Sequence, residues 1–102
     1  MNNFRTYNIS VEFYRQCQTL GLPSHLRDQL LRASSSIALN LAEGSGRAHK
    51  RDKQKFFNIA FGSVRECRAI LDLQTGIPAE LAELEDKLAA HIYKLIQNTR
   101  GR

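Results

Sequence analysis

Three short glycine-containing segments, two of which also contain proline, constrain the fold of this sequence more than any other feature. They are Gly21-Leu22-Pro23, Gly44-Ser45-Gly46 and Gly76-Ile77-Pro78, and each is suited to ending one helix or starting the next. Between them, apolar residues recur every three or four positions, which is the spacing of amphipathic helices. This pattern predicts helices at about residues 4–20, 24–43, 50–74 and 78–98. Helices of similar length with short connections predict an all-α, antiparallel up-down-up-down four-helix bundle, with residues 1–102 as a single domain.

The second predicted helix carries small residues on a face that a neighbouring helix can approach. Ser34-Ser35-Ser36 lies in its middle, and Leu39 lies off its main apolar stripe. A helix that is apolar on more than one face is usually sandwiched between others or lies at a subunit contact. We therefore expect the protein to self-associate.

Local residue types make further predictions about helix ends and close contacts. Ser24 is expected to cap the start of the second helix. Gly44 and Gly46 are expected to end that helix, because glycine tolerates left-handed backbone angles. Gly62 lies inside the third helix, where glycine costs about 1 kcal/mol relative to alanine. Its presence there predicts that the backbone of a neighbouring helix comes close.

Positive charge is concentrated immediately after the second helix. The chain has a net charge of +5, and residues 47–55 hold five cations against one acid. These five are predicted to contact nucleic-acid phosphates, and two cations further along the third helix could extend their surface. The predicted set is Arg47, Lys50, Arg51, Lys53, Lys55, Arg65 and Arg68. Several of these cations crowd the start of a helix, where the helix dipole disfavours them, so an anionic partner would offset the repulsion. The alternative is a solvated loop and helix start.

The sequence contains no recognisable catalytic or metal-binding pattern. Cys17 and Cys67 are 50 residues apart and fall in apolar helical patterns, so we expect buried, reduced thiols. No histidine pair has the spacing of a helical zinc site, and no Glu-x-x-His pair of a di-metal bundle is present. The glycine-rich segment at 44–47 follows a helix and lacks the ending of a phosphate loop. We predict a non-enzymatic protein without metal or cofactor. Because no apolar run spans a bilayer and no signal peptide is recognisable, we expect it in the cytoplasm.

Asn40 and Glu43 form a polar pair one turn apart on the second helix. They could line a recognition surface, together with Ser36 and Arg47. They could instead bond to polar groups of a neighbouring helix or support the following turn, with Glu43 paired to Arg47 or Arg65. The small residues around them favour the structural interpretation.

Two stretches, residues 30–47 and 55–66, resemble the signature blocks of a bacterial family. The shared features are Arg32-Ala-Ser, Asn40-x-Ala-Glu-Gly and Ala60-x-Gly-Ser, in that order. The corresponding structural-motif residues are Arg32, Asn40, Glu43, Gly44, Gly46, Gly62, Ser63 and Glu66. The family is that of the 23S rRNA intervening-sequence (S23-like) proteins, which includes the accessory variability determinant of diversity-generating retroelements. The resemblance implies an antiparallel four-helix bundle. For the retroelement members it also implies a homopentameric barrel whose basic surface binds nucleic acid and a reverse transcriptase.

Charge and resemblance together predict a small, basic, oligomeric accessory protein that binds nucleic acid, with RNA as the first candidate ligand. A reverse transcriptase is a further predicted partner. The alternative is a protein–protein adaptor, or a structural bundle that does not bind nucleic acid directly.

Overall fold

The computed structural model describes residues 2–100, with side chains from Phe4 to Arg100, so that Met1, Gly101 and Arg102 lie outside it. Four helices make up this part of the chain. They are α1 (Asn2–Cys17), α2 (Ser24–Ser45), α3 (Lys50–Asp72) and α4 (Ala79–Arg100). Each helix packs against two neighbours, in the order α1, α2, α3 and α4, with α4 closing the ring against α1. The predicted all-α four-helix bundle is confirmed, and it measures 43 × 22 × 18 Å.

The core is a continuous column of apolar side chains contributed by all four helices. Its fully buried large members are Phe13, Leu30, Ile37, Leu41, Phe57, Leu81, Leu88 and Ile92. Burying such side chains stabilises the fold by about 1.5–3 kcal/mol each. Cys17 and Cys67 are buried in the same column as free thiols, as predicted. The predicted apolar stripes therefore face the bundle axis.

The first connection differs from its prediction at both ends. Helix α1 ends at Cys17 and not near residue 20, because the amides of Thr19 and Leu20 bond to carbonyls only three residues back. Such tighter turns commonly finish an α-helix. Helix α2 begins at Ser24, so the prediction that Ser24 is its cap was wrong. Pro23 holds the cap position, and its carbonyl accepts hydrogen bonds from the amides of Leu26 and Arg27.

The last connection follows its prediction. Gly76 has a φ of +76°, in the left-handed region that favours glycine. The carbonyl of Pro78 then accepts hydrogen bonds from the amides of Leu81 and Ala82, which starts α4. The chain thus reverses within the few residues between Asp72 and Ala79.

Candidate nucleic-acid interface

The order of the helices collects residues from three separate parts of the sequence at one end of the bundle. This end, which we call the hinge end, comprises residues 2–9, 35–61 and 90–100. Its assembly is visible in a ring contact between Phe61 and Tyr93, whose centroids are 6.4 Å apart, and in a cleft that Arg5 shares with Lys94.

Charge is divided unevenly between the two ends of the bundle. The hinge end carries eight cations, namely Arg5, Arg47, Lys50, Arg51, Lys53, Lys55, Lys94 and Arg100. It carries only two acids, Glu43 and Asp52. The other half holds six cations and eight acids, half of these acids in the first eight residues of α4. The bundle is therefore strongly basic at one end and weakly acidic at the other.

The connection between α2 and α3, residues 46–49, is closed by backbone hydrogen bonds. The amide of Gly46 donates to the carbonyls of Ala42 (3.3 Å) and Glu43 (3.2 Å), and that of Arg47 donates to the carbonyl of Gly44 (3.2 Å). Gly46 has a φ of −85°, so its predicted left-handed conformation was wrong. Helix α2 runs past the predicted end at residue 43 because Gly44 keeps helical geometry.

Gly44 is a packing residue and does not end a helix. It is buried in the last turn of α2, where a Cβ would stand only 3.1 Å from the Cβ of Phe56 on α3. Close approach of the two helices, and not a special backbone angle, is the reason for glycine here. The approach keeps the end of α2 and the start of α3, and so their cations, within one small region.

Arg47 and Lys55 both lie close to the aromatic ring of Phe56 at this end. Arg47 pairs with Glu43 through a contact of 2.6 Å, and its guanidinium lies 4.8 Å from the centroid of the Phe56 ring. The ammonium of Lys55 lies 5.8 Å from the same centroid. Both distances fall in the range of cation–π attraction. The ring thereby holds two cationic groups near each other while both side chains stay exposed.

Lys53 faces inward. Its ammonium donates to the carbonyl of Ser45 (3.2 Å) and lies 3.5 Å from that of Gly44. These carbonyls end α2, where the helix dipole favours a cation. Lys53 therefore supports the connection between the helices, whereas Lys50 and Arg51 are exposed in the first turn of α3.

The other two predicted cations lie away from the hinge end. Arg65 and Arg68 follow Lys55 by ten and thirteen residues on α3, or about 15–20 Å along the helix. Arg68 turns toward α4, where its Nε donates to Glu85 Oε1 at 2.8 Å and its NH2 group contacts Asp86. The structure thus gives Arg68 two carboxylate partners and does not bring it to the other predicted cations.

Glu85 is a buried carboxylate that sequence reasoning missed. Its side chain is 1% exposed, and its second oxygen, Oε2, has no hydrogen-bond partner among the described residues. Burial raises its pKa, which Arg68 partly opposes. Its apolar neighbour Leu84, by contrast, is only half-buried. Residues 81, 85, 88 and 92 have the spacing of one buried helix face, and this was the sequence signal for the burial of Glu85. The charge of Glu85 argued against placing it on that face.

Burial also disfavours the charged, reactive thiolate form of Cys17 and Cys67. Burial, with smaller contributions from Glu85, raises the pKa of Cys17 to about 12 and raises that of Cys67 as well. A thiol, not a thiolate, is then present at neutral pH, and thiols are poor nucleophiles and metal ligands.

Asn40 makes its side-chain hydrogen bonds within α2, whereas the structural interpretation placed them on a neighbouring helix or the following turn. Its side-chain amide donates to the carbonyl of Ser36 (2.9 Å) and to the Ser36 hydroxyl (3.1 Å). The hydroxyl of Ser63 on α3 donates to the hydroxyl oxygen of Ser36 at 3.0 Å. Ser36 therefore links α2 to α3.

Other motif residues point outward. Arg32 and Glu66 are exposed. Gly62 is exposed too, and a Cβ there would meet nothing within 4 Å, so the predicted close backbone was wrong.

The described residues contain no group of three or more side chains placed to hold a metal ion. Within the same residues, every helix is too short or too polar to cross a bilayer.

The fold and charge distribution define a class: four-helix bundles with one basic end, held by tight α2–α3 packing.

Comparison with known proteins specifies this class further. Residues 4–99 match the sequence profile of the 23S rRNA-intervening sequence proteins, and the chain belongs to that family. A solved structure from Bacteroides thetaiotaomicron, described as a protein with unknown function from the S23 ribosomal protein family, has the same fold. It is 19% identical, with a TM-score of 0.82 over 95% of this chain and 99% of that one. No curated protein matches.

Proposed function

We propose that this protein is a small, oligomeric nucleic-acid-binding accessory protein, with RNA as its ligand and the hinge end as its binding surface. The proposed role is binding without catalysis, in the cytoplasm. Phosphate contacts supply most of the affinity of such proteins, and they require cations gathered on one surface.

The observation that carries the proposal is the separation of charge along the bundle. Eight of the described cations lie at the hinge end with two acids, although they come from three separate segments of the sequence. A random distribution of surface charge would not favour one end in this way. A local excess of positive charge attracts a polyanion and orients it on approach.

Within this surface, the side chains proposed to contact phosphates are Arg47, Lys50, Arg51 and Lys55. Arg51 and Lys55 are exposed in the first two turns of α3, and Arg47 lies just before it. Lys53 contributes positive potential while its ammonium stays on the carbonyls of α2. Arg65 lies outside this surface, and Arg68 supports the bundle through its contacts with α4.

Self-association belongs to the same proposal. Leu39 on α2 and Ile59 on α3 are large apolar side chains that remain exposed in one copy of the chain. Covering them with a second copy would remove apolar area from water. The resemblance to retroelement members supplies the finer part of the proposal, namely a pentamer with a reverse transcriptase as protein partner.

Two double variants of equal charge test the binding surface. Arg51→Ala with Lys55→Ala removes two cations from the hinge end, and Arg15→Ala with Lys87→Ala removes two from the other half. We expect the first pair to weaken binding of a structured RNA, measured by filter binding at fixed salt, and the second pair to leave it nearly unchanged. Equal weakening by both pairs would show that net charge alone attracts RNA and would refute the proposed surface. RNA-independent capture of a reverse transcriptase by protein that binds no RNA would support the adaptor alternative.

A further inference from the structure

A cleft of about 370 Å³ opens between α1 and α4 at the hinge end. Its cations Arg5 and Lys94 belong to the hinge end, but not to the four side chains proposed above to contact RNA phosphates. The residues that line it are Arg5 and Thr6 of α1 with Ala90, His91, Lys94, Leu95 and Asn98 of α4. Its size lies in the lower part of the range of small-ligand sites.

We propose that this cleft binds a terminal phosphate group, with Arg5, His91 and Lys94 as its cationic contacts and the amide of Asn98 as a neutral donor. A phosphate monoester carries close to two negative charges and three strong acceptor oxygens. Guanidinium, imidazolium and ammonium groups each donate charge-assisted hydrogen bonds to such oxygens. The donors come from two different helices, so that the group would be held between α1 and α4.

The lining is one-sided in charge. Arg5, His91 and Lys94 line the cleft without a carboxylate among the lining residues. Leu95 and Ala90 add apolar surface, and Leu95 is buried. A cleft of this composition favours an anion over a cation or a neutral molecule.

The protonation of His91 provides an independent sign of this potential. Burial lowers its pKa, and the nearby cations Arg5 and Lys87 lower it further. The charged groups that face it are thus Arg5 from α1 and Lys87 from its own helix, with Lys94 in the same cleft. A bound phosphate would reverse this effect, because an opposite charge nearby favours the protonated imidazole. Binding should therefore raise the pKa of His91 and strengthen as pH falls through that pKa.

The three histidines allow the proposal to be tested in the intact protein by NMR. His91 reports on the cleft, His49 lies beside the hinge cations, and His25 lies at the opposite end near the start of α2. With inorganic phosphate at constant ionic strength, we expect the pKa of His91 to rise by about one unit and that of His25 to stay constant. An unchanged His91 pKa would overturn the proposal.

Oligonucleotides distinguish a nucleic-acid end from free phosphate as the source of the group. An RNA oligonucleotide with a 5′-phosphate should raise the His91 pKa at about tenfold lower concentration than the same oligonucleotide with a 5′-hydroxyl, a difference of about 1.4 kcal/mol. A response to inorganic phosphate without this preference would support the cleft as a site for free phosphate. If His49 fails to respond to RNA while His91 responds, the proposed function fails and the cleft stands.

Matched variants distinguish direct contact with the phosphate from the general effect of nearby positive charge. Lys94→Gln and Arg5→Gln should each weaken the response of His91 to phosphate about tenfold, because each removes a charged donor of the cleft. Lys87→Gln should raise the His91 pKa in the free protein and keep the phosphate response, since Lys87 does not line the cleft. An equal phosphate response in Lys94→Gln and Lys87→Gln would overturn the proposal.

Discussion

Gly44 of α2 lies against the ring of Phe57 of α3 so closely that a Cβ on residue 44 would stand 2.7 Å from Cε1 of the ring. Both residues are buried, and Phe57 is among the largest side chains of the core. The contact fixes how closely the two helices approach at the hinge end. Because the proposed RNA-binding cations lie between these two residues in sequence, their spacing depends on this contact.

Replacing Gly44 by alanine should destabilise the protein. The gain in helix propensity of about 1 kcal/mol is outweighed by displacement of the Phe57 ring, since overpacking a core costs about 1–3 kcal/mol. We expect a net loss of about 1 kcal/mol in the free energy of unfolding, measured by urea denaturation. Gly62→Ala is the matched control and should stabilise by about 1 kcal/mol, because its Cβ meets nothing. Equal effects of the two substitutions would contradict the packing role of Gly44.

Arg68 should matter for stability because it neutralises Glu85. Removing one partner of a fully buried ion pair costs about 3–5 kcal/mol. Since the side chain of Arg68 is 47% exposed, we expect a smaller loss of about 2 kcal/mol for Arg68→Ala in thermal or urea unfolding. In a Glu85→Leu background the same substitution should cost little. A similar loss in both backgrounds would mean that Arg68 acts through packing and not through Glu85.

Stability should also depend on pH through Glu85. Its pKa in the folded protein is raised above the ordinary value of 4.5, so the folded state binds this proton more tightly than the unfolded state. The contribution of the protonated group is therefore complete below pH 4.5 and is lost as pH rises through the folded-state pKa. Compared with Glu85→Gln, the wild-type protein should lose stability over this range in urea unfolding at a series of pH values. A constant difference between the two proteins across pH would refute the shift.

Two exposed leucines provide a matched test of self-association. Leu39 is 68% exposed on α2, and Leu73 is 70% exposed just after α3. We expect a multimer at micromolar concentration by light scattering, which Leu39→Asp converts to smaller species while Leu73→Asp leaves it intact. The reason is that a charge placed in a buried contact is strongly unfavourable. A monomeric wild-type protein would contradict the expectation.

The fold could be predicted from the sequence because helix periodicity and the segments around Gly21, Gly44 and Gly76 act locally. The exact ends of the helices could not be predicted from the sequence, nor could the reason why glycine occupies positions 44 and 62. Both depend on which residues of another helix come close. Glycine is compatible with a left-handed turn, a close contact or open space, and the described residues contain all three, at Gly76, Gly44 and Gly62.

The candidate site was predictable in part. The cations after α2 lie close together in sequence. Arg5 and Lys94 reach the same end of the bundle only because α1 and α4 are antiparallel. Arg68 was assigned to the binding surface on charge alone, and its two partners lie on a different helix. Glu85 was missed because a carboxylate is rarely buried, and only the position of Arg68 makes its burial intelligible.

The central claim, that the hinge end binds RNA through phosphate contacts, is tested most directly by affinity for single-stranded RNA across a salt series. Four contacts, from Arg47, Lys50, Arg51 and Lys55, predict a slope of log affinity against log salt of about −3. Arg51→Ala with Lys55→Ala removes two of the four contacts and should reduce the magnitude of the slope by about half, or roughly 1.4. A slope near zero for the wild-type protein, or an unchanged slope in this variant, would contradict the account.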